Sequence, residues 1–148
     1  MALDDESLNV LLNESSKLKQ TLDIYTKKIE EISMVQIVEL YHQVINVNSL
    51  VTYCENLNDN QDAEIKAKIL NTQKIIEERF NNDLHHLILN RIDHLIKITK
   101  NNLKEISQIP VDRTKEDIEK QSGKYEELRK MMSIKEFVEQ YNKLIDKP

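Results

Sequence analysis

The sequence predicts an all-α protein in which a few long helices are joined by few turns. One glycine and two prolines occur in 148 residues, and tight turns, hairpins and phosphate-binding loops depend on these two residue types. Apolar residues recur three and four positions apart along most of the chain, which is the spacing of an amphipathic helix. The chain has no tryptophan and only two phenylalanines, so the core is expected to be aliphatic.

We expect an elongated, coiled-coil-like antiparallel hairpin of two long helices over residues 1–109. Its helices are predicted at residues 4–57 and 62–109. Residues 110–148 are expected to form one or two shorter helices that pack on the hairpin or on a partner. The alternative architecture is a compact four-helix bundle, which would result if the first helix breaks near Ser33.

The first predicted helix opens with an a/d heptad pattern that contains one polar layer, at Ser15. Ser33 is followed three residues later by Gln36, which is the spacing of a capping box and therefore of a helix start. Both a continuous helix and a break at this point stay open. The heptad positions are Leu8, Leu11, Ser15, Leu18, Leu22, Tyr25, Ile29 and Ile32.

The second predicted helix follows an Asn- and Asp-rich turn at residues 56–62, since these side chains compete for local backbone hydrogen bonds. Asn81 and Asn82 form its weakest point, and Pro110 ends it because the residue before proline resists helical geometry. An apolar row with an eleven-residue period predicts a straight or slightly right-handed seam. Its members are Ile65, Ile76, Leu87, Ile98 and Ile109.

The carboxy-terminal segment shows two possible helix starts. Asp112 or Thr114 can cap a third helix, which Gly123 weakens. Ser133 with Glu136 has the spacing of a fresh capping box, which predicts a separate last helix. A thin apolar edge of the third helix comprises Ile118, Tyr125, Leu128 and Met132.

Charge argues against nucleic-acid and membrane binding. The formal net charge is −5, and residues 1–57 hold nine acidic and four basic side chains, whereas the rest of the chain is balanced. A nucleic-acid binder would carry a basic stripe. No apolar run approaches the ~20 residues of a membrane span, and the first residues lack the basic and apolar regions of a secretory signal. We therefore expect an intracellular protein, cytoplasmic or nuclear.

No residue pattern predicts an enzyme, a cofactor, a bound metal or a small-molecule substrate. His85, His86 and His94 do not stand four residues apart, and helix-borne metal sites generally need that spacing. Cys54 is the only cysteine, with no neighbouring basic residue to activate it. Adjacent glutamates beside basic residues are typical of a solvated helix face.

The predicted function is that of a helical scaffold or adaptor subunit, which binds other protein subunits or itself through apolar seams. A self-contained helical regulator or effector that occludes a partner protein is the alternative, and a metal-binding bundle is a remote one. The residues predicted to bind a partner are Leu8, Leu11, Leu18, Leu22, Tyr25 and Ile29 in the heptad, and Ile134, Phe137, Val138, Tyr141, Leu144 and Ile145 near the carboxyl end.

Overall fold

The computed structural model describes residues 5–58, 62–107 and 115–145, and it confirms the all-α prediction. No strand occurs in these ranges. The elements are α1 (Asp5–Lys27), a 3₁₀ turn (Ile29–Glu31), α2 (Met34–Leu57), α3 (Ala63–Lys74), a π-helical segment (Ile75–Leu84), α4 (His85–Ser107) and α5 (Lys115–Ile145).

The first predicted helix is broken before Ser33, so of the two alternatives left open the structure contains the break. Ser33 Oγ accepts a hydrogen bond from the Gln36 backbone N–H at 3.2 Å, and Gln36 Oε1 accepts one from the Ser33 N–H at 2.9 Å. These two bonds complete the predicted capping box. They satisfy backbone donors that would otherwise lack partners at the start of α2.

The second predicted helix is helical at every residue from 63 to 107. Asp62 caps it, because its carboxylate accepts hydrogen bonds from the N–H groups of Glu64 and Ile65 at 2.9 and 3.2 Å. The predicted weak point, Asn81 and Asn82, lies inside the π-helical segment. Residues 108–110, where the helix was predicted to end, lie outside the described part of the chain.

The predicted eleven-residue row is wrong as a description of the buried side chains, since Ile98 is 42% exposed. The buried residues instead follow one another every four positions. Four residues make slightly more than one α turn, so a row of residues four apart gradually moves around an α-helix. A π turn contains more residues than an α turn, so the π-helical segment turns the row back toward its original side. The row comprises Ile76, Phe80, Leu84, Ile88, Ile92 and Ile96.

The predicted separate helix start at Ser133 is also wrong, because α5 is one helix of 31 residues that contains both Gly123 and Ser133. Good helix formers such as Met132, Lys135 and Glu136 surround Ser133, and their propensity favours continuation over a new cap. The proposed caps at residues 112 and 114 lie outside the described residues.

The chain divides into two units, Met1–Leu87 and Ile88–Pro148. In the first unit, α2 runs antiparallel to the continuous helix that begins with α3, because Glu55 contacts Gln73 of α3 and Tyr41, earlier in α2, contacts His85 at the start of α4. In the second unit, α4 and α5 are antiparallel: Asp93 contacts Lys135, and further along α4 Thr99 contacts Met131. The predicted domain boundary at residue 109 is not tested by this division and stays a prediction.

Candidate functional site

The heptad face of α1 is used inside the chain. Its four leucines are buried, while Tyr25 and Ile29 are partly exposed. The polar layer is matched as well: the Thr72 hydroxyl donates a hydrogen bond to Ser15 Oγ at 3.1 Å. Partner binding by this face stays a prediction, and the geometry assigns its leucines to the core of the first unit. These leucines are Leu8, Leu11, Leu18 and Leu22.

Among the predicted partner-binding residues of α5, Ile134, Val138 and Tyr141 lie on the same side of the helix as Met131, which contacts α4. Val138 and Tyr141 are buried, and Ile134 and Phe137 are partly exposed. The side chains at positions 144 and 145, Leu144 and Ile145, lie outside the described residues although their backbone is helical.

Two polar contacts fix this packing of α5 on α4. The Lys135 ammonium lies 2.8 Å from an Asp93 carboxylate oxygen, and the Thr99 hydroxyl contacts the Met131 sulfur at 3.4 Å. The hydrogen bond to Asp93, together with the charge of that carboxylate, raises the pKa of Lys135. Because both groups of this ion pair are substantially exposed, its contribution to stability is small, about 0–1 kcal/mol.

A second apolar face of α5 is exposed. Ile118, Tyr125 and Met132 are 54, 46 and 52% exposed. They stand seven residues apart, so each lies within about 20° of the previous one around the helix. We call these three residues the exposed face of α5. The sequence shows them as an apolar edge, but it does not show that they are left uncovered.

The exposed and buried faces of α5 point in nearly opposite directions. At 100° per residue, Met131, Val138 and Tyr141 lie about 120–160° from Tyr125 around the helix axis. The buried face belongs to the carboxy-terminal half of α5, and the exposed face belongs mainly to the amino-terminal half. A helix with two separate apolar faces can bind α4 with one and a second surface with the other.

Exposed charges of both signs flank the exposed face of α5 on one side. Lys115 and Glu119 precede Tyr125, and Arg129 and Glu136 follow it. All four side chains are exposed and lie within about 120° of Tyr125 in the same rotational sense. The exposed Glu126 lies about 100° from Tyr125 in the same sense, so with two basic and three acidic side chains the flank is polar and has a net charge of −1.

Of the three histidines at positions 85, 86 and 94, His85 is buried. Its Nδ1 atom is hydrogen-bonded to the Tyr41 hydroxyl, and the Tyr41 ring packs edge-on against Phe80 with centroids 5.0 Å apart. His86 and His94 are exposed. The three histidines therefore do not share one environment, and the buried one packs with the rings of Tyr41 and Phe80.

A cleft lies between α2 and α3 in the first unit. It encloses about 210 Å³ and is lined in part by Lys66, Ile69 and Leu70. Small-molecule sites typically enclose about 300–1,000 Å³. A hydrogen bond between Gln73 and Glu55 joins the two helices beside it. The cleft therefore gives no support to a small-molecule function.

The residues described contain neither a cluster of metal-ligand side chains nor a helix able to cross a membrane. In ranges 5–58, 62–107 and 115–145, no three His, Cys, Asp or Glu side chains converge as metal ligands would. No helix within those ranges combines the length and apolar character that a bilayer crossing requires.

Comparison with models of known protein families, with curated proteins and with solved structures gives no match. Functional inference therefore rests on the residues and contacts of this chain.

Proposed function

We propose that this protein is a non-enzymatic helical scaffold or adaptor subunit that binds a protein partner through the exposed face of α5. The observation that carries the proposal is the presence of two opposed apolar faces on one helix, of which only one packs against α4. Singly exposed apolar residues are ordinary on protein surfaces. A row of three on one line of a helix is the pattern of helix recognition by a groove or by another helix.

The chemistry of the exposed face suits protein recognition. Tyrosine is enriched at interface hot spots because it buries a large ring at little entropic cost, and its hydroxyl tolerates partial solvation. Methionine adapts to irregular surfaces. Full burial of a large apolar side chain contributes about 1.5–3 kcal/mol. Ile118, Tyr125 and Met132 are already about half covered, so each would contribute less.

The remaining surface argues for the same class of partner. Acidic residues outnumber basic ones in residues 1–57, which disfavours nucleic acid and anionic membranes. The proposal therefore names protein partners and involves no cofactor, nucleic acid, membrane insertion or small-molecule substrate. It keeps the expectation of an intracellular protein, cytoplasmic or nuclear.

A second candidate is a self-contained helical regulator or effector that occludes a partner's surface. The buried contact between Ser15 and Thr72 favours it, because the heptad face of α1 is covered within its own chain. Such a protein would fold alone and use the exposed face of α5 to cover its target. The two candidates share the binding surface and differ in whether the partner is needed for assembly or is inhibited.

Site-specific photo-crosslinking in cells that contain the full chain tests the proposal. A photoreactive residue at position 125 is expected to give one discrete protein adduct, and the Met132→Glu substitution is expected to remove it. The matched control carries the photoreactive residue at Lys120, which is also exposed on α5 but lies about 140° from Tyr125. No adduct at position 125, or the same adducts at both positions, would contradict the proposal.

A further inference from the structure

We infer that the surface bound by the exposed face of α5 is the same face of a second copy of this chain, so that two α5 helices pair antiparallel about a two-fold axis at Tyr125. This inference rests on the proposed function and names its partner. Homo-oligomers with two-fold symmetry use one surface patch on both copies, and that patch must be complementary to itself.

The spacing of the three apolar residues is symmetric about Tyr125. Ile118 precedes it by seven residues and Met132 follows it by seven. In an antiparallel pair centred at Tyr125, the two tyrosines meet at the axis and Ile118 lies opposite Met132 of the second copy. Every exposed apolar side chain of the face thus gains an apolar neighbour.

The flanking charges are complementary in the same arrangement. Glu119 and Arg129 lie six residues before and four after Tyr125, so Glu119 comes close to Arg129 of the second copy. Lys115 and Glu136, ten before and eleven after, come together in the same way. Two-fold symmetry repeats both pairs. In a parallel pair the two copies of this flank would lie on opposite sides of the interface, so neither of these charge pairs could form.

Two like-charge approaches accompany this arrangement. Lys124 and Glu126 lie next to the axis on opposite sides of Tyr125, and each would come near its own copy. The Lys124 ammonium is already 3.2 Å from the Glu127 carboxylate on the same helix, and the Glu126 carboxylate is 4.0 Å from the Lys130 ammonium. Both charges are therefore locally balanced, and these approaches do not remove the preference that the two outer pairs create.

The size of the patch sets the strength of the association. The face extends over residues 118–132, about 21 Å of helix, and only three apolar side chains are exposed along it. Stable dimers generally bury about 1,200–2,000 Å². The expected dimer is accordingly weak and reversible, with a Kd on the order of 10–100 µM.

Sedimentation equilibrium of the full chain, from about 5 to about 500 µM, measures this association. Tyr125→Glu is expected to weaken dimerisation at least tenfold, because it buries a carboxylate at the axis. Tyr53→Glu is the control, since Tyr53 is 52% exposed on α2 and lies outside the proposed interface. Far-UV circular dichroism should show both variants fully helical, since both sites are exposed.

Charge reversal tests the orientation. Glu119→Arg and Arg129→Glu are each expected to weaken the dimer, and the two substitutions together are expected to restore it. This restoration is specific to the antiparallel pair, since in a parallel pair Glu119 of one copy and Arg129 of the other lie on opposite sides of the interface and cannot compensate for each other. A dimer that persists in Tyr125→Glu, or a double variant without restoration, would overturn the inference.

The outcomes separate this inference from the proposed function. A chain that stays monomeric at all concentrations, yet forms an adduct with a different protein at position 125, overturns the second-copy assignment and supports the adaptor proposal. A monomer with no adduct at position 125 overturns both.

Discussion

The Tyr41 hydroxyl and His85 Nδ1 form a hydrogen bond in the interior of the first unit, between residues 44 positions apart. His85 directly follows the π-helical segment, and its backbone N–H donates to the Phe80 carbonyl oxygen five residues earlier. The side-chain bond therefore ties α2 to the point where π geometry returns to α geometry. Both rings also pack against Phe80.

Tyr41→Phe is expected to lower the free energy of unfolding by about 1–3 kcal/mol, because His85 Nδ1 stays buried and loses this hydrogen bond. Tyr53→Phe, the same change at an exposed tyrosine of α2, is expected to change it by less than about 0.5 kcal/mol. Urea denaturation followed by circular dichroism measures both. Equal effects of the two variants would show that the buried bond contributes nothing.

The hydrogen bond between Thr72 and Ser15 is expected to stabilise the fold. Thr72→Val should lower the free energy of unfolding by about 1 kcal/mol, since it leaves the buried Ser15 hydroxyl without this donor. The double variant Ser15→Ala with Thr72→Val is expected to cost less than the sum of the two single changes, because both polar groups are then removed together. Additive costs in a double-mutant cycle measured by urea denaturation would contradict a direct contact between α1 and α3.

The pKa of Tyr25 determines how the free energy of unfolding should change at alkaline pH. Partial burial, and then the negative charge of Glu39, raise the pKa of Tyr25 above its ordinary value of 10.0. The folded chain favours the neutral phenol, so this stabilising contribution is complete below pH 10.0 and is lost as the pH rises through the higher folded-state value. The raised pKa of Lys135 acts with the same sign.

We therefore expect the free energy of unfolding of the Tyr25→Phe variant to decrease less steeply with pH than that of the native chain above pH 10.0. Unfolding midpoints measured at several alkaline pH values test this, with Tyr53→Phe as the control. Identical slopes for the native chain and Tyr25→Phe would rule out the predicted linkage. Glu39→Gln should lower the pKa of Tyr25, which absorbance of the ionised phenol can follow.

Gly123→Ala is expected to stabilise the chain by about 0.5–1 kcal/mol. Gly123 lies inside α5, and a Cβ atom added there meets nothing within 4 Å. The added methyl group therefore limits the unfolded chain without straining the helix. Thermal unfolding of the two proteins measures the difference, and a lower melting temperature for the variant would contradict a regular helix at this position.

Local sequence signals predicted the elements that depend on local physics. The capping box of Ser33 and Gln36 uses side chains and backbone groups three residues apart, so the spacing indicated a possible helix start there, although the sequence left a continuous helix open. The helix predicted from residue 62 begins at Ala63, after the cap at Asp62. The buried heptad of α1 also follows from spacing, because a regular α-helix turns each of its positions to one side.

Features that depend on distant contacts could not be obtained in this way. Ser133 has the spacing of a helix start, but α5 continues through it and packs on α4 through residues on either side, Met131 and Val138. The π-helical segment leaves no mark in the periodicity unless the buried positions are already known. Likewise, the solvent exposure of Tyr125 can be recognised only once the face of α5 that packs on α4 is known.

The π-helical segment has a consequence for changes in chain length. A deletion in a regular α-helix rotates all later side chains by about 100°, whereas a π turn holds one residue more than an α turn needs. We expect deletion of the exposed Asn82 to lower the unfolding midpoint less than deletion of the exposed Asn46 in α2, and chemical denaturation can compare the two. The codons for residues 75–84 should then tolerate the loss of a single triplet better than those for α2.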